Sequence, residues 1–245
     1  MHSLFSCQSP TDGGSPRTSC FESTSPRRRT EADIPQLTAK RRSLDRDPGR
    51  DEDGSVSSFE AAGIHVTVED ETLREQVSDP SALARWCARH PQDPRTVAYL
   101  RMLGRLDDAA IAGRLALAAE GLSPVMRAVR RARYAHVLQW QGAFVAAEEQ
   151  LDLAAEETGL EDPTSPSSMS VLAAVFQHRA KCRFEHAQAE HRDGRHEAAA
   201  RRWGEALEDA RRALFMREHL GVADEDVIAS SRQTLARLAR QDLAT

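Results

Sequence analysis

The sequence predicts an all-α protein, and three observations predict it. From about residue 92 onward, apolar and Ala residues recur at intervals of three and four, as on the buried face of a helix. Gly and Pro clusters interrupt this pattern near residues 121–124, 159–166 and 221, where helices should end. Strand-like alternation is confined to one short stretch. We therefore expect a disordered tail (residues 1–58), a lead-in with an N-terminal helix (59–91) and a helical domain (92–245).

The tail is predicted to be disordered because it is rich in Ser, Thr, Pro and Gly and has no hydrophobic period. Such a segment buries too little apolar surface to offset the entropy of ordering. Its nine basic and nine acidic residues leave it neutral. Basic runs at residues 27–29 and 40–42 are interpreted as solvated charge rather than kinase sites or a localisation signal, since such short motifs arise by chance. Whether these 58 residues are translated at all stays open.

The lead-in contains the one stretch that alternates, residues 64–68. Five residues are too few to build a sheet, so we expect an extended segment without partners. After Asp79-Pro80, Ser81 is predicted to cap a helix that runs to about Arg89 and ends at His90-Pro91.

Composition excludes several classes of function. Ala occurs 38 times, and 31 of the 33 basic residues are Arg, a bias typical of a high-GC genome and therefore poor evidence for a nucleic-acid partner. The net charge of −5 argues against a polyanion as well. The longest apolar run, residues 171–176, is far shorter than the roughly 20 residues that cross a bilayer, so no membrane partner is expected. Four scattered cysteines and the lack of a signal peptide favour a cytoplasmic location.

An internal repeat organises the helical domain. Three segments share a Gly, a larger side chain two residues on and an Ala five residues on. They are Gly104-x-Leu106-x2-Ala109, Gly142-x-Phe144-x2-Ala147 and Gly194-x-His196-x2-Ala199. This spacing suits two antiparallel helices, because Gly permits a tight turn and Ala lets the backbones approach closely.

The repeat resembles the tetratricopeptide repeat family. Towards the C-terminus, Arg217-Glu218 and Leu220-Gly221 look like the longer bacterial repeats of kinesin-light-chain type. The resemblance implies a right-handed α-solenoid of helix pairs, flanked by a C-terminal helix near residues 224–242. The copies lie 38 and 52 residues apart rather than the family's 34, so an insertion at the loop of residues 159–170 is expected. An unrelated Ala-rich helical bundle is the alternative.

The same resemblance implies a function. We find no phosphate loop, zinc-protease motif, nucleophile elbow or Cys-x-x-Cys, so no enzymatic activity and no cofactor are expected. Proteins of this family bind another protein or a peptide in a concave groove, as a scaffold or adaptor. The alternative is a regulatory sensor module of a bacterial signalling or transcription system that responds to a peptide or a small ligand. Self-association into a homodimer stays open.

Positions lining the groove carry over from the family by the Gly register. They are Ala132, Arg133, His136, Gln139 and Trp140 in the second copy, and Lys181, Phe184, Gln188, His191 and Arg192 in the third. Trp140 and Phe184 would anchor a partner's apolar side chains, although both also suit a core between repeats. The chain contains no Asn, so the pattern of the carboxylate-clamp subgroup is not met.

One cluster has metal-like spacing. His178, Cys182 and His186 follow at i, i+4 and i+8, so they share one helical face. A single helix offers a metal two ligands comfortably, and a third would have to come from elsewhere. Packing and surface histidines are therefore the favoured interpretation, and metal binding stays open.

A basic helical face is the last candidate. It consists of Arg127, Arg130, Arg131 and Arg133, and acidic residues that could neutralise it are Asp152, Glu156 and Glu157. No aromatic side chains alternate with these arginines, so a solvated or salt-bridged face is favoured over phosphate binding.

Overall fold

A computed structural model describes residues 57–162, 164–219 and 224–240. The predicted tail therefore lies outside the described residues, except for its last two. Of these two, Ser57 is buried and Ser58 begins the first strand.

A small antiparallel sheet, which the sequence analysis did not expect, opens the described chain. It consists of β1 (Ser58–Ala61), β2 (Ile64–Val68) and β3 (Glu75–Val77), in the order β1-β2-β3. Ala62 and Gly63 both have positive φ and join β1 to β2 in a tight hairpin. The expectation of an unpartnered extended segment was wrong because β1 and β3 are short and mostly exposed, and so carry no alternation of their own.

Eight helices follow within the described residues. They are α1 (Pro80–Arg89), α2 (Thr96–Met102), α3 (Leu106–Leu117), α4 (Pro124–Trp140), α5 (Phe144–Thr158), α6 (Pro166–Arg192), α7 (His196–His219) and α8 (Glu225–Ala239). The prediction of a mostly helical protein is confirmed. The first cap is Asp79 rather than Ser81: its carboxylate accepts a hydrogen bond from the Ala82 N–H at 2.8 Å. None of the described helices is both long and apolar enough to cross a membrane.

Three of the turns between helices are alike, at the glycines that the repeat singles out. Gly104, Gly142 and Gly194 have φ of 71°, 77° and 78°, a region that side chains disfavour. Each glycine N–H donates to the carbonyl three residues before it, at 2.8–3.0 Å, and the next N–H donates to the carbonyl five residues before it, at 2.9 Å. The prediction of tight turns at these glycines is confirmed.

The alanines of the repeat are also where the spacing requires them. Ala109, Ala147 and Ala199 each have 0% of their surface exposed. Consecutive helices from α2 to α8 pack on one another, and α2, α4, α6 and α8 also contact each other in that order. The 52-residue interval is explained mainly by the length of α6, which has 27 residues against 17 in α4.

The hydrophobic core is divided along the chain. One part joins the sheet to α1, α2 and α3, and a second joins α4, α5 and α6. In the third, Leu73, from the connection between β2 and β3, packs among residues of α6, α7 and α8. The sheet segment is thus fixed at both ends, since Ala61 and Val66 lie in the first part and Leu73 in the third.

Candidate functional site

Of the ten positions carried over from the family register, Ala132 is buried in the core that joins α4, α5 and α6. The other nine residues predicted to line a groove lie on two neighbouring helices. Arg133, His136, Gln139 and Trp140 belong to α4, and the other five belong to α6. Since α4 and α6 contact each other, their facing side chains form one surface, which we call the α4–α6 face. A loop of the chain itself, residues 69–74 between β2 and β3, lies over part of this face.

Leu73 is the apolar anchor of the loop. Its side chain is buried beside Phe184 of α6 and Leu238 of α8. Its carbonyl accepts a hydrogen bond from Lys181 Nζ at 3.4 Å. Leu73 also has a φ of 56°, which is unfavourable for a side chain of this size, so packing holds it in a strained conformation. Phe184 is accordingly part of a core that includes the loop.

Arg74 follows the anchor and is bound by polar groups of the same face. Its Nη2 donates to Glu185 Oε2 at 2.8 Å, and its guanidinium lies 4.9 Å from the centre of the Trp140 ring. Gln139 Nε2 donates to the other oxygen of Glu185 at 2.9 Å. Glu185 therefore holds Arg74 and Gln139 together, although the family register does not include it among the groove positions.

An ion pair at the start of β3 also contacts Trp140. Glu75 accepts two hydrogen bonds from Arg101 of α2, at 2.7 and 3.0 Å, and the Arg101 guanidinium lies 4.6 Å from the centre of the Trp140 ring. Burial raises the pKa of Glu75, but Arg101 and other nearby cationic groups outweigh this and hold the pKa well below its usual value. Trp140 is thus half-buried and contacts two guanidinium groups.

Two histidines beneath this region are neutral. The rings of His136 and His178 lie 4.8 Å apart. Burial, and after it nearby cations, lower the pKa of His136 well below its usual value and that of His178 to about 3. The Nδ1 of His178 is shielded from solvent and has no hydrogen-bond partner among the described residues.

The remaining four predicted residues are less covered. Arg133 is half-buried, and burial lowers its pKa. At the end of α6, Gln188 and His191 are half-buried and Arg192 is exposed. The His191 ring packs against His196, at 4.7 Å. These three lie beyond the contacts of the loop, and a role of all nine residues in binding a partner stays a prediction.

The metal-like triplet does not converge. His178 packs on His136, Cys182 Sγ lies 3.9 Å from the Phe144 carbonyl, and His186 Nδ1 lies 2.7 Å from Glu148 Oε1. In the described parts of the chain, no group of three His, Cys, Asp or Glu side chains is arranged to hold a metal ion.

The basic face of α4 is partly neutralised, as expected. Arg131 Nε lies 3.0 Å from Glu157 Oε1, and Arg127 lies 3.9 Å from the same oxygen. Asp152 is engaged elsewhere, by Arg179 at 2.7 Å. That pair belongs to a buried network in which Asp209 of α7 binds Arg179 through both oxygens and also binds Arg183, each at 2.8 Å.

Sequence analysis missed the covering loop and its contacts. The loop residues lie more than 100 positions from Lys181 and Glu185, and a lone Leu between acidic residues and Arg74 is the only local signal. Comparison of the chain with protein-family models, with curated proteins and with solved structures gave no match.

Proposed function

We propose that this chain is a non-enzymatic binding protein built from tetratricopeptide-like repeats. Its α4–α6 face would bind a segment of another protein or a peptide, and the loop of residues 69–74 would occupy that face until a partner displaces it. A cytoplasmic location is part of the proposal, since Cys87 and Cys182 are free thiols. The recurrent glycine turns and the buried alanines support the choice of a repeat array over an irregular bundle.

The observation that carries the proposal is the way the loop is held. An apolar side chain is buried on Phe184, a backbone carbonyl accepts from Lys181, and a guanidinium pairs with Glu185. These are three kinds of contact by which a groove recognises a peptide: an anchor, a main-chain hydrogen bond and a charge pair. The face therefore suits a segment with a large apolar residue followed by Arg.

A tethered loop competes strongly with any partner. Because its ends are fixed in β2 and β3, its effective concentration at the face is high, and an external segment binds only in proportion to the fraction of open molecules. Weakening the loop should therefore raise the apparent affinity for a partner without changing the face itself.

The test uses the chain's own segment as the probe. A fluorescent peptide with the sequence of residues 69–78 is titrated against the full chain and against the double variant Leu73→Asn/Arg74→Ala, in which Asn tolerates the positive φ but removes the anchor. We expect the variant to bind the peptide at least tenfold more tightly than the unmodified chain. A peptide carrying the same two substitutions is the matched control and should bind neither.

Circular dichroism decides whether the variant keeps its helices. A folded variant that binds the peptide no better than the unmodified chain contradicts the proposal, and so does equal binding of the control peptide. If the variant loses its helices, the single variant Arg74→Ala replaces it, because this side chain is partly exposed and its removal leaves the Leu73 anchor in place.

The second candidate function is a regulatory module that responds to a small ligand. One observation favours it: a cavity is lined by Glu75, Lys181 and Arg217 among other residues, and Lys181 contributes to both the cavity and the loop contact. A ligand there would act on the group that holds Leu73.

A further inference from the structure

A cavity of about 240 Å³ lies between the N-terminal strands and helices α6, α7 and α8. Its polar lining comes from Ser57, Glu75, His178, Lys181, Arg217 and Ser230. Phe59, Val68 and Val227 add apolar surface. The cavity is thus distinct from the exposed part of the α4–α6 face, although the two share Lys181.

Two cations in this lining are buried without a direct ion pair. Lys181 and Arg217 are only 6% and 7% exposed, and among the described residues neither forms an ion pair, although the charges of Glu75 and Glu185 act on Lys181 from farther away. Lys181 donates to the Leu73 carbonyl, and Arg217 donates to Gln177, Ser231 and the Val227 carbonyl, all of them neutral acceptors. The buried acid of the lining, Glu75, is already engaged by both guanidinium nitrogens of Arg101.

This arrangement is unfavourable unless something supplies more negative charge, because a buried cation has lost its hydration. Burial lowers the pKa of Arg217 to about 10, so the guanidinium still carries its charge at neutral pH. Burial lowers the pKa of Lys181 as well, although Glu75 and Glu185 act in the opposite direction. By contrast, Arg101, which is 2% exposed, is paired directly with Glu75.

The lining also holds a hydroxyl donor. The Ser230 hydroxyl accepts from Gln177 Nε2 at 3.0 Å, so its own proton is available to an anion. The Ser57 hydroxyl is not, because it donates to Gln233 Oε1.

We propose that this cavity binds a small oxyanion, a carboxylate or a phosphate, between Lys181 and Arg217, with the Ser230 hydroxyl as a further donor. The cavity of about 240 Å³ is large enough for inorganic phosphate or a short dicarboxylate. Asp226 on the exposed side of the cavity disfavours larger anions that would protrude past it. A regulatory role of this site rests on the second candidate function, whereas the proposal that the cavity binds an oxyanion does not.

The experiment measures anion binding to the full chain in Tris chloride. Inorganic phosphate and succinate are added in separate titrations at constant ionic strength, with sodium chloride as the reference, and both calorimetry and melting temperature are recorded. We expect one of the two oxyanions to bind with a submillimolar Kd and to raise the melting temperature by several degrees. The tighter of the two identifies the ligand group as phosphate or carboxylate.

Variants assign the site. Lys181→Met and Arg217→Gln each remove one cation and should weaken binding at least tenfold. Arg212→Gln, on the same helix as Arg217 but exposed, is the matched control and should bind like the unmodified chain. Lys181→Met also gives a second signature: because it removes an unpaired buried charge, it should raise the melting temperature without anion while abolishing the rise with anion.

The outcomes separate this inference from the proposed functions. No effect of either oxyanion beyond chloride overturns the site, and so does binding that persists in both cation variants. Should Arg217→Gln fail to fold, Lys181→Met decides alone. Peptide binding is measured on the same preparations in chloride, so it tests the first candidate function independently. If the anion binds but leaves peptide affinity unchanged, the site stands and the regulatory function is wrong.

Discussion

Two glycines inside helices test how closely the helices of the repeat approach each other. Gly113 lies in α3 against the Tyr134 ring of α4, and a Cβ added to it would lie 2.6 Å from Tyr134 Cδ2. Gly204 lies in α7, and a Cβ there would have no neighbour within 4 Å. A Cβ introduced by Gly→Ala therefore clashes with a neighbouring ring at Gly113 and has free space at Gly204.

The expected magnitudes have opposite signs. Replacing a helical Gly by Ala favours the helix by about 1 kcal/mol, so Gly204→Ala should stabilise the chain by about 0.5–1 kcal/mol. At Gly113 the same gain is opposed by overpacking, which costs about 1–3 kcal/mol because the ring must move. We expect Gly113→Ala to destabilise the chain by about 1 kcal/mol, which lowers the melting temperature by about 2–4 °C for a chain of this size.

Urea denaturation followed by circular dichroism measures both effects as changes in midpoint at constant slope. The double variant Gly113→Ala/Tyr134→Ala provides the control when it is compared with Tyr134→Ala alone. Once the ring is removed, the change at Gly113 should give the same gain in stability that Gly204→Ala shows. If Gly113→Ala stabilises the chain as much as Gly204→Ala does, α3 and α4 do not approach as described and the reasoning about small residues between helices fails.

Two further predictions concern buried charge. Asp209 is 1% exposed and binds Arg179 and Arg183. Asp209→Asn should therefore lower the free energy of unfolding, measured by urea denaturation, by about 3–5 kcal/mol, whereas Glu208→Gln, in an exposed pair next to it, should lower it by less than about 0.5 kcal/mol. Equal losses in the two variants would contradict a stabilising network. The folded pKa of His178 lies below its unfolded value, so the native chain binds fewer protons than the unfolded chain, and stability is lost as pH falls below about 6.5. We expect a loss of about 1–2 kcal/mol between pH 7 and pH 5, measured by the urea midpoint, and a smaller loss in His178→Leu, which keeps the ring's packing partners but cannot accept a proton. His136, Lys181, Glu75, Arg101 and Arg217 lie near this ring, and burial lowers the pKa of His136 as well. A dependence on pH that persists unchanged in the variant would therefore assign the titration to His136.

The helices could be predicted from local sequence patterns, because helix periodicity, Gly turns and buried alanines all lie within one helix pair. The sheet could not be predicted in this way, because its strands show no such local pattern. β1 and β3 contribute few buried side chains, and their pairing with β2 and their contacts with α8 and α2 join segments that no local pattern connects. The groove residues were placed by register alone, which cannot show that residues 69–74 lie against Phe184 and Glu185.

One position of the Gly/Ala pattern carries a different kind of residue in each of the three copies. Nine residues after the turn glycines stand Gly113, Leu151 and Trp203. Leu151 is buried in its own pair, and Trp203 packs in the core that contains Leu73 while its Nε1 donates to the Leu238 carbonyl. At Gly113 the space is filled instead by Tyr134 from the next pair. Tyr134 of α4 therefore occupies the space that a larger side chain at position 113 would need, which requires α3 and α4 to pack closely. At the other end of the described chain α6 contacts α8, and Leu73 and the buried cation Arg217 both meet this C-terminal helix. Lys181 of α6 contacts the loop through the Leu73 carbonyl and also lines the cavity, so Lys181→Met is the variant that bears on both proposals.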